Sequence, residues 1–70
     1  SGPEHWLALN DALTQLSTRE PQAAELVRLR IFAGLSVEDA AAAVGMSRAT
    51  AYRHWTYARA WLLAEIQSDE

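Results

Sequence analysis

The sequence contains no cysteine, so neither a disulfide framework nor a thiolate metal site can support its fold. Without such staples, a chain of 70 residues depends on one efficiently packed core. Histidine is scarce too. His5 and His54 lie far apart, which leaves no ligand set for a metal ion. No apolar run approaches the roughly 20 residues needed to cross a bilayer, and no signal peptide is visible. A reducing cytoplasm and no membrane association are the expectation. Alternation of period two is missing, so no strand is expected. No nucleophile–base pair, paired-carboxylate pocket or phosphate loop can be assembled. The expectation is a protein that is not an enzyme and carries no cofactor.

Positive charge is also sparse. Six basic residues against nine acidic ones give a formal net charge of −3 and a pI near 5.2, which argues against a generally adhesive nucleic-acid binder. The average hides a segregation. From Ser1 to Gly45 there are six acids (Glu4, Asp11, Glu20, Glu25, Glu38, Asp39) and three arginines (Arg19, Arg28, Arg30). From Met46 to Ala64 there are three arginines (Arg48, Arg53, Arg59), one histidine and no acid. An acid-free basic stripe on an acidic domain can serve as a local phosphate-binding surface; the alternative is a solvated helix face, which would ordinarily include acids.

What is present is helical. Half the residues are hydrophobic, which suits a helical bundle and excludes a disordered tail. Ser1-Gly2-Pro3 has no helical logic of its own and reads as a cloning remnant, leaving residues 4–70 as one domain. Leu9, Leu13 and Leu16, with Ala12, predict a first helix over about Glu4 to Leu16. Ser17-Thr18 interrupts it, with Thr18 as the N-cap of a second helix that has Glu20 and Pro21 in its first turn. That helix runs to about Ala33, with Ala23, Leu26, Val27, Leu29 and Ile31 as core candidates and Gly34 at C′. Ser36 caps a third helix, with Asp39 in the position of a shortened capping box. Its alanines, Ala40 to Ala43, give it high propensity and a slim profile that permits close crossing by a neighbour. Gly45 supplies the following turn. Ser47 caps a fourth helix that can run to about Gln67.

The pair formed by the third and fourth helices has the pattern of a helix-turn-helix whose second helix enters the DNA major groove. Ala51, Trp55, Ala58 and Leu62 follow i, i+4, i+7, i+11 and form its buried seam, so Trp55 is read as core rather than as a base-stacking residue. The opposite face carries Arg48, Tyr52, Arg53, Thr56, Tyr57 and Arg59. Arginine can read guanine O6 and N7, while tyrosine and threonine can touch a thymine methyl or a phosphate. For Tyr52 and Tyr57, packing against the neighbouring helix is the alternative. Trp6 and Trp61 are not needed by the seam, and are read either as packing between the first and last helices or as exposed anchors.

These residues carry a resemblance. The run from Thr18 through Leu62, above all LRIFAGLSVEDAAAAVGMSRAT and YARAWL, resembles region 4 of bacterial sigma factors of the extracytoplasmic-function (ECF) group. Trp55 followed by Ala58-Arg59-Ala60-Trp61-Leu62 matches a subgroup with a tryptophan and an ARAWL-like segment. The resemblance implies an all-α, four-helix domain with a C-terminal helix-turn-helix, winged-helix-like or of sigma region 4 type, without strands. It implies recognition of the promoter minus-35 element while docked on the β-subunit flap of RNA polymerase, with an anti-sigma factor as a further partner. By position, base-reading roles fall on Tyr52, Arg53, Thr56 and Tyr57. Phosphate-binding roles fall on Ser36, Arg48, Thr50 and Arg59.

Two departures qualify the match. The family often has valine or isoleucine where Ala51 stands, and a basic residue where Tyr52 and Tyr57 stand. Fewer cations imply weaker intrinsic DNA affinity, which suits a domain held in place by polymerase. Region 2, which melts the minus-10 element, is not in this sequence, so the expectation is an excised fragment. Two other readings stand beside it. LSTRE with GLSVEDAAAAVGMS also fits the DNA-binding domain of LuxR-type response regulators, but that family usually ends its recognition helix early. The other is a helical protein-interaction module that makes no DNA contact.

Overall fold

The structure, a computed structural model, describes residues 2–68. They form α1 (Gly2–Arg19), α2 (Pro21–Ile31), α3 (Val37–Val44) and α4 (Arg48–Ser68), with no strand among them. The all-α expectation holds, and with no strand there is no wing. α2 and α4 pack together at the centre. α1 lies against both on one flank and α3 against both on the other; α1 and α3 do not touch. α4 sets the long dimension of the 35 × 20 × 17 Å molecule: 21 residues at about 1.5 Å each make roughly 32 Å.

That arrangement divides the core in two. One cluster joins Ala12, Leu13 and Leu16 of α1 to Ala23, Ala24 and Val27 of α2 and Ala58 and Leu62 of α4. The other joins Leu26 of α2 to Val37, Ala40 and Ala41 of α3 and Ala51 of α4. Trp55 packs against both clusters, so the seam assignment for Ala51, Trp55, Ala58 and Leu62 is borne out. The α3–α4 crossing is built from alanines buried to the last few per cent, which lets the two backbones approach closely.

The ends of α3 and α4 follow from local chemistry. Ser36 accepts a 3.0 Å hydrogen bond from the amide of Asp39, and Ser47 accepts one of 3.2 Å from the amide of Thr50. Both serines thus satisfy amides that lack partners within their helices. At the end of α3, Gly45 sits at φ 73°. Its amide bonds the carbonyl of Ala42, and that of Met46 bonds the carbonyl of Ala41, a Schellman closure. A Cβ on Gly45 would meet nothing within 4 Å. The left-handed backbone itself, not crowding, selects glycine here, and any other residue costs about 1 kcal/mol or more.

The first two helices depart from expectation. α1 starts at Gly2, not Glu4, with Pro3 in the first turn, where proline is tolerated. It also runs through Ser17-Thr18 to Arg19. Thr18 is not a cap: its hydroxyl donates 3.2 Å to the carbonyl of Thr14, one turn back in its own helix. The break falls at Glu20 (φ −138°, ψ 79°), which caps without a side-chain hydrogen bond. Pro21 causes this, because the residue before a proline is driven out of the helical region. α2 ends at Ile31 rather than Ala33, and Ile31 is 41% exposed rather than core. Trp6 meets a partner that helical periodicity does not indicate. It stacks on Phe32, with ring centroids 5.7 Å apart and planes 19° from parallel, and both rings stay half exposed. Trp61 is half-buried against the first cluster.

Candidate nucleic-acid interface

The turn Gly45–Ser47 delivers α4 across α3, and the buried seam decides which side of α4 remains outside. Successive residues are about 100° apart around a helix. Burying Ala51, Trp55, Ala58 and Leu62 therefore turns Tyr52, Arg53, Thr56 and Tyr57 to solvent. All four are exposed, and together they line one open concavity. The structure thus brings the four base-reading candidates together on two successive turns. Tyr52 and Tyr57 keep 40% and 46% of their surface exposed, so the alternative of simple packing does not describe the rings. It does describe the hydroxyl of Tyr52, which reaches α3.

That contact organises one edge of the surface. Tyr52 donates a 2.6 Å hydrogen bond to Oε2 of Glu38, and Arg48 forms a 3.4 Å ion pair with the same oxygen. The Arg48 guanidinium lies 5.6 Å from the centroid of the Tyr52 ring, within cation–π range. Glu38 is held below the usual carboxylate value, first by the Tyr52 hydroxyl and then by its own backbone amide. Burial opposes these two hydrogen bonds, and Arg48 and then Arg30 add smaller lowering effects. Sequence reasoning missed Glu38 as part of this surface. Its fourteen-residue separation from Tyr52 has no local periodicity, and only the helix crossing joins them.

The phosphate-binding candidates are distributed around this centre. Arg48 stands at the start of α4 on the α3 side, mostly exposed. Thr50 is half-buried. Its Oγ1 accepts from Ser47 at 2.9 Å and from Arg53 at 3.3 Å, which leaves its own proton for an outside acceptor. Arg53 commits one of its guanidinium donors to that bond and retains the others for a base edge. Arg59 is exposed, with its guanidinium 5.9 Å from the Trp55 ring. Ser36 is exposed but acts as the α3 cap, beside Glu38 and Asp39 in the first turn. Those carboxylates oppose an incoming phosphate, so Ser36 is the least favourably placed of the four.

Arg30, not singled out by the sequence, secures the scaffold beneath. Its Nη1 donates 2.9 Å to the carbonyl of Leu35, and its guanidinium lies 4.8 Å from the Trp55 centroid. Its Nε is buried without a hydrogen-bond partner. One side chain therefore ties the α2–α3 connection to the middle of α4. Among the described residues no cluster of metal-ligating side chains occurs, and no helix is long and apolar enough to cross a membrane.

A family model described as ECF sigma factor matches residues 1–68. No curated protein and no solved structure matches the chain.

Proposed function

The chain belongs to the ECF sigma factor family of transcription-initiation proteins, and from that premise we propose that it is a region 4 whose α4 reads the promoter minus-35 element. The observation that carries this reading is the joint exposure of Tyr52, Arg53, Thr56 and Tyr57 around one concavity of α4. Arg48, Thr50 and Arg59 flank it as backbone contacts, with Ser36 as a weaker fourth. The continuous 21-residue span of α4 favours this over the LuxR-type alternative, whose recognition helix is short.

The two kinds of contact have different signatures. Arg53→Ala is expected to relax preference at one base position by roughly 5- to 100-fold, the range of a good base contact. Arg48→Ala and Arg59→Ala are expected to weaken all sequences alike. With about two phosphate-pairing arginines, log K should fall with log salt at a slope near −2, and each of those substitutions should remove about one from it. Binding isotherms of the chain on duplexes over a range of salt check both. A uniform loss from Arg53→Ala would sink the base-reading assignment.

Such a shallow slope describes weak DNA binding by the domain alone, and RNA polymerase supplies the rest through its β flap. An aromatic pair suits that partner. Trp6 and Phe32 are 53% and 51% exposed, on α1 and just past the end of α2, elements other than the reading helix. Replacing both with alanine should cost about tenfold or more in affinity for an isolated β flap, as for aromatic anchors generally. DNA binding by the free domain should not change. Unaltered flap affinity, measured by titration calorimetry, would place the docking surface elsewhere. An anti-sigma factor would compete for one of these two surfaces.

A further inference from the structure

Glu38 lies on α3, outside the reading helix, yet one of its carboxylate oxygens meets both Tyr52 and Arg48. The two contacts differ in strength. The Arg48 pair is long, and its side chains are 74% and 45% exposed, so it is worth little in water. Arg48 can exchange Glu38 for a DNA phosphate at small cost. The Tyr52 bond is short and charge-assisted, the stronger class of hydrogen bond, and persists when Arg48 leaves.

The direction of that bond is fixed by chemistry. An ionised carboxylate can only accept, so the phenolic proton of Tyr52 is committed to Glu38 and its oxygen offers only lone pairs to a ligand. We propose that Glu38 is a specificity-determining positioning residue that makes Tyr52 a reader of exocyclic amines, adenine N6 or cytosine N4, in the major groove. Guanine O6 and thymine O4 present acceptors to an acceptor, and that pairing leaves both desolvated and unsatisfied. Glu38 also fixes the ring in place over the concavity, tethering it from outside its own helix. This inference rests on the reading of α4 as the recognition helix.

The test is selection of preferred duplexes from a randomised pool at low ionic strength. The 70-residue chain is compared with Glu38→Gln, Tyr52→Phe, Arg53→Ala and the Glu38→Gln/Tyr52→Phe double variant. Folding of each is checked by helical ellipticity. Wild type should prefer adenine or cytosine over guanine and thymine at one position by about fivefold, the worth of one hydrogen bond. Glu38→Gln should flatten or invert that preference at that position alone. Tyr52→Phe should abolish it, and Glu38→Gln should add nothing in the Tyr52→Phe background. An equal loss at all positions from Glu38→Gln would mean a merely structural or electrostatic role and would overturn the proposal. So would an unchanged preference in Glu38→Gln where Tyr52→Phe alters one position. A base preference that responds to Arg53→Ala but not to Glu38→Gln removes this inference and leaves the recognition reading intact. Absence of any base preference in the wild type removes both.

Discussion

Leu26→Ala is expected to lower the stability of the domain by about 2–5 kcal/mol and to leave much of it unfolded at physiological temperature. Leu26 is fully buried and among the largest side chains that are. Its cluster is otherwise Val37, Ala40, Ala41 and Ala51, with Leu29, Leu35, Met46 and Trp55 at the margins. Alanines carry no rotamers that could swing into the vacated space, and their helices are held by caps and turns. The cavity therefore collapses poorly, which puts the cost toward the upper part of the range. A domain of this size rarely has more than about 3–5 kcal/mol in total. Because Leu26 joins α2 to both helices of the helix-turn-helix, the loss falls on the element that presents the reading face. Thermal unfolding followed at helical wavelengths should show a midpoint lowered by at least about 10 °C. A drop of only a degree or two would mean that the α2–α3–α4 cluster contributes little.

Replacing Tyr52, Arg53, Thr56 and Tyr57 together with alanine is expected to erase base preference while the fold survives. All four side chains are exposed, and alanine raises helix propensity at each position, so helicity and melting temperature should hold or rise. Three or four base contacts at about 1 kcal/mol or somewhat less each amount to roughly 10²- to 10³-fold discrimination. The variant should bind preferred and scrambled duplexes within about threefold of each other. Its salt slope should fall little, because Arg48 and Arg59 remain. If selection from random duplexes returned the same preferred sequence for variant and wild type, α4 would not be the reading element.

Much of this surface was legible in the residues. The seam at Ala51, Trp55, Ala58 and Leu62 follows from helical periodicity, and the exposure of Tyr52, Arg53, Thr56 and Tyr57 follows from the seam. The caps at Ser36 and Ser47 and the turn at Gly45 are short-range features, so they too could be read locally. The boundary between α1 and α2 is set locally as well, but by a competition between two local options. Serine and threonine can cap a helix or bond back within it, and the steric demand of Pro21 outweighed the capping option of Thr18. Ile31 has the spacing of a core residue but lies at the last position of α2, past the reach of its neighbours.

Composition and periodicity suffice for an all-α chain, its four helices, the acid-free stretch on the last of them and the side of that helix that is buried. These are properties of residues within a few turns of one another, where backbone geometry alone sets who faces whom. Packing in three dimensions is what brings Glu38 to Tyr52 and Arg48, Arg30 to Leu35 and Trp55, and Trp6 onto Phe32. Each of these pairs elements whose relative placement depends on how two alanine-rich interfaces close. The crossing of α3 over α4 is a property of packed volume, and periodicity along one helix carries no information about it.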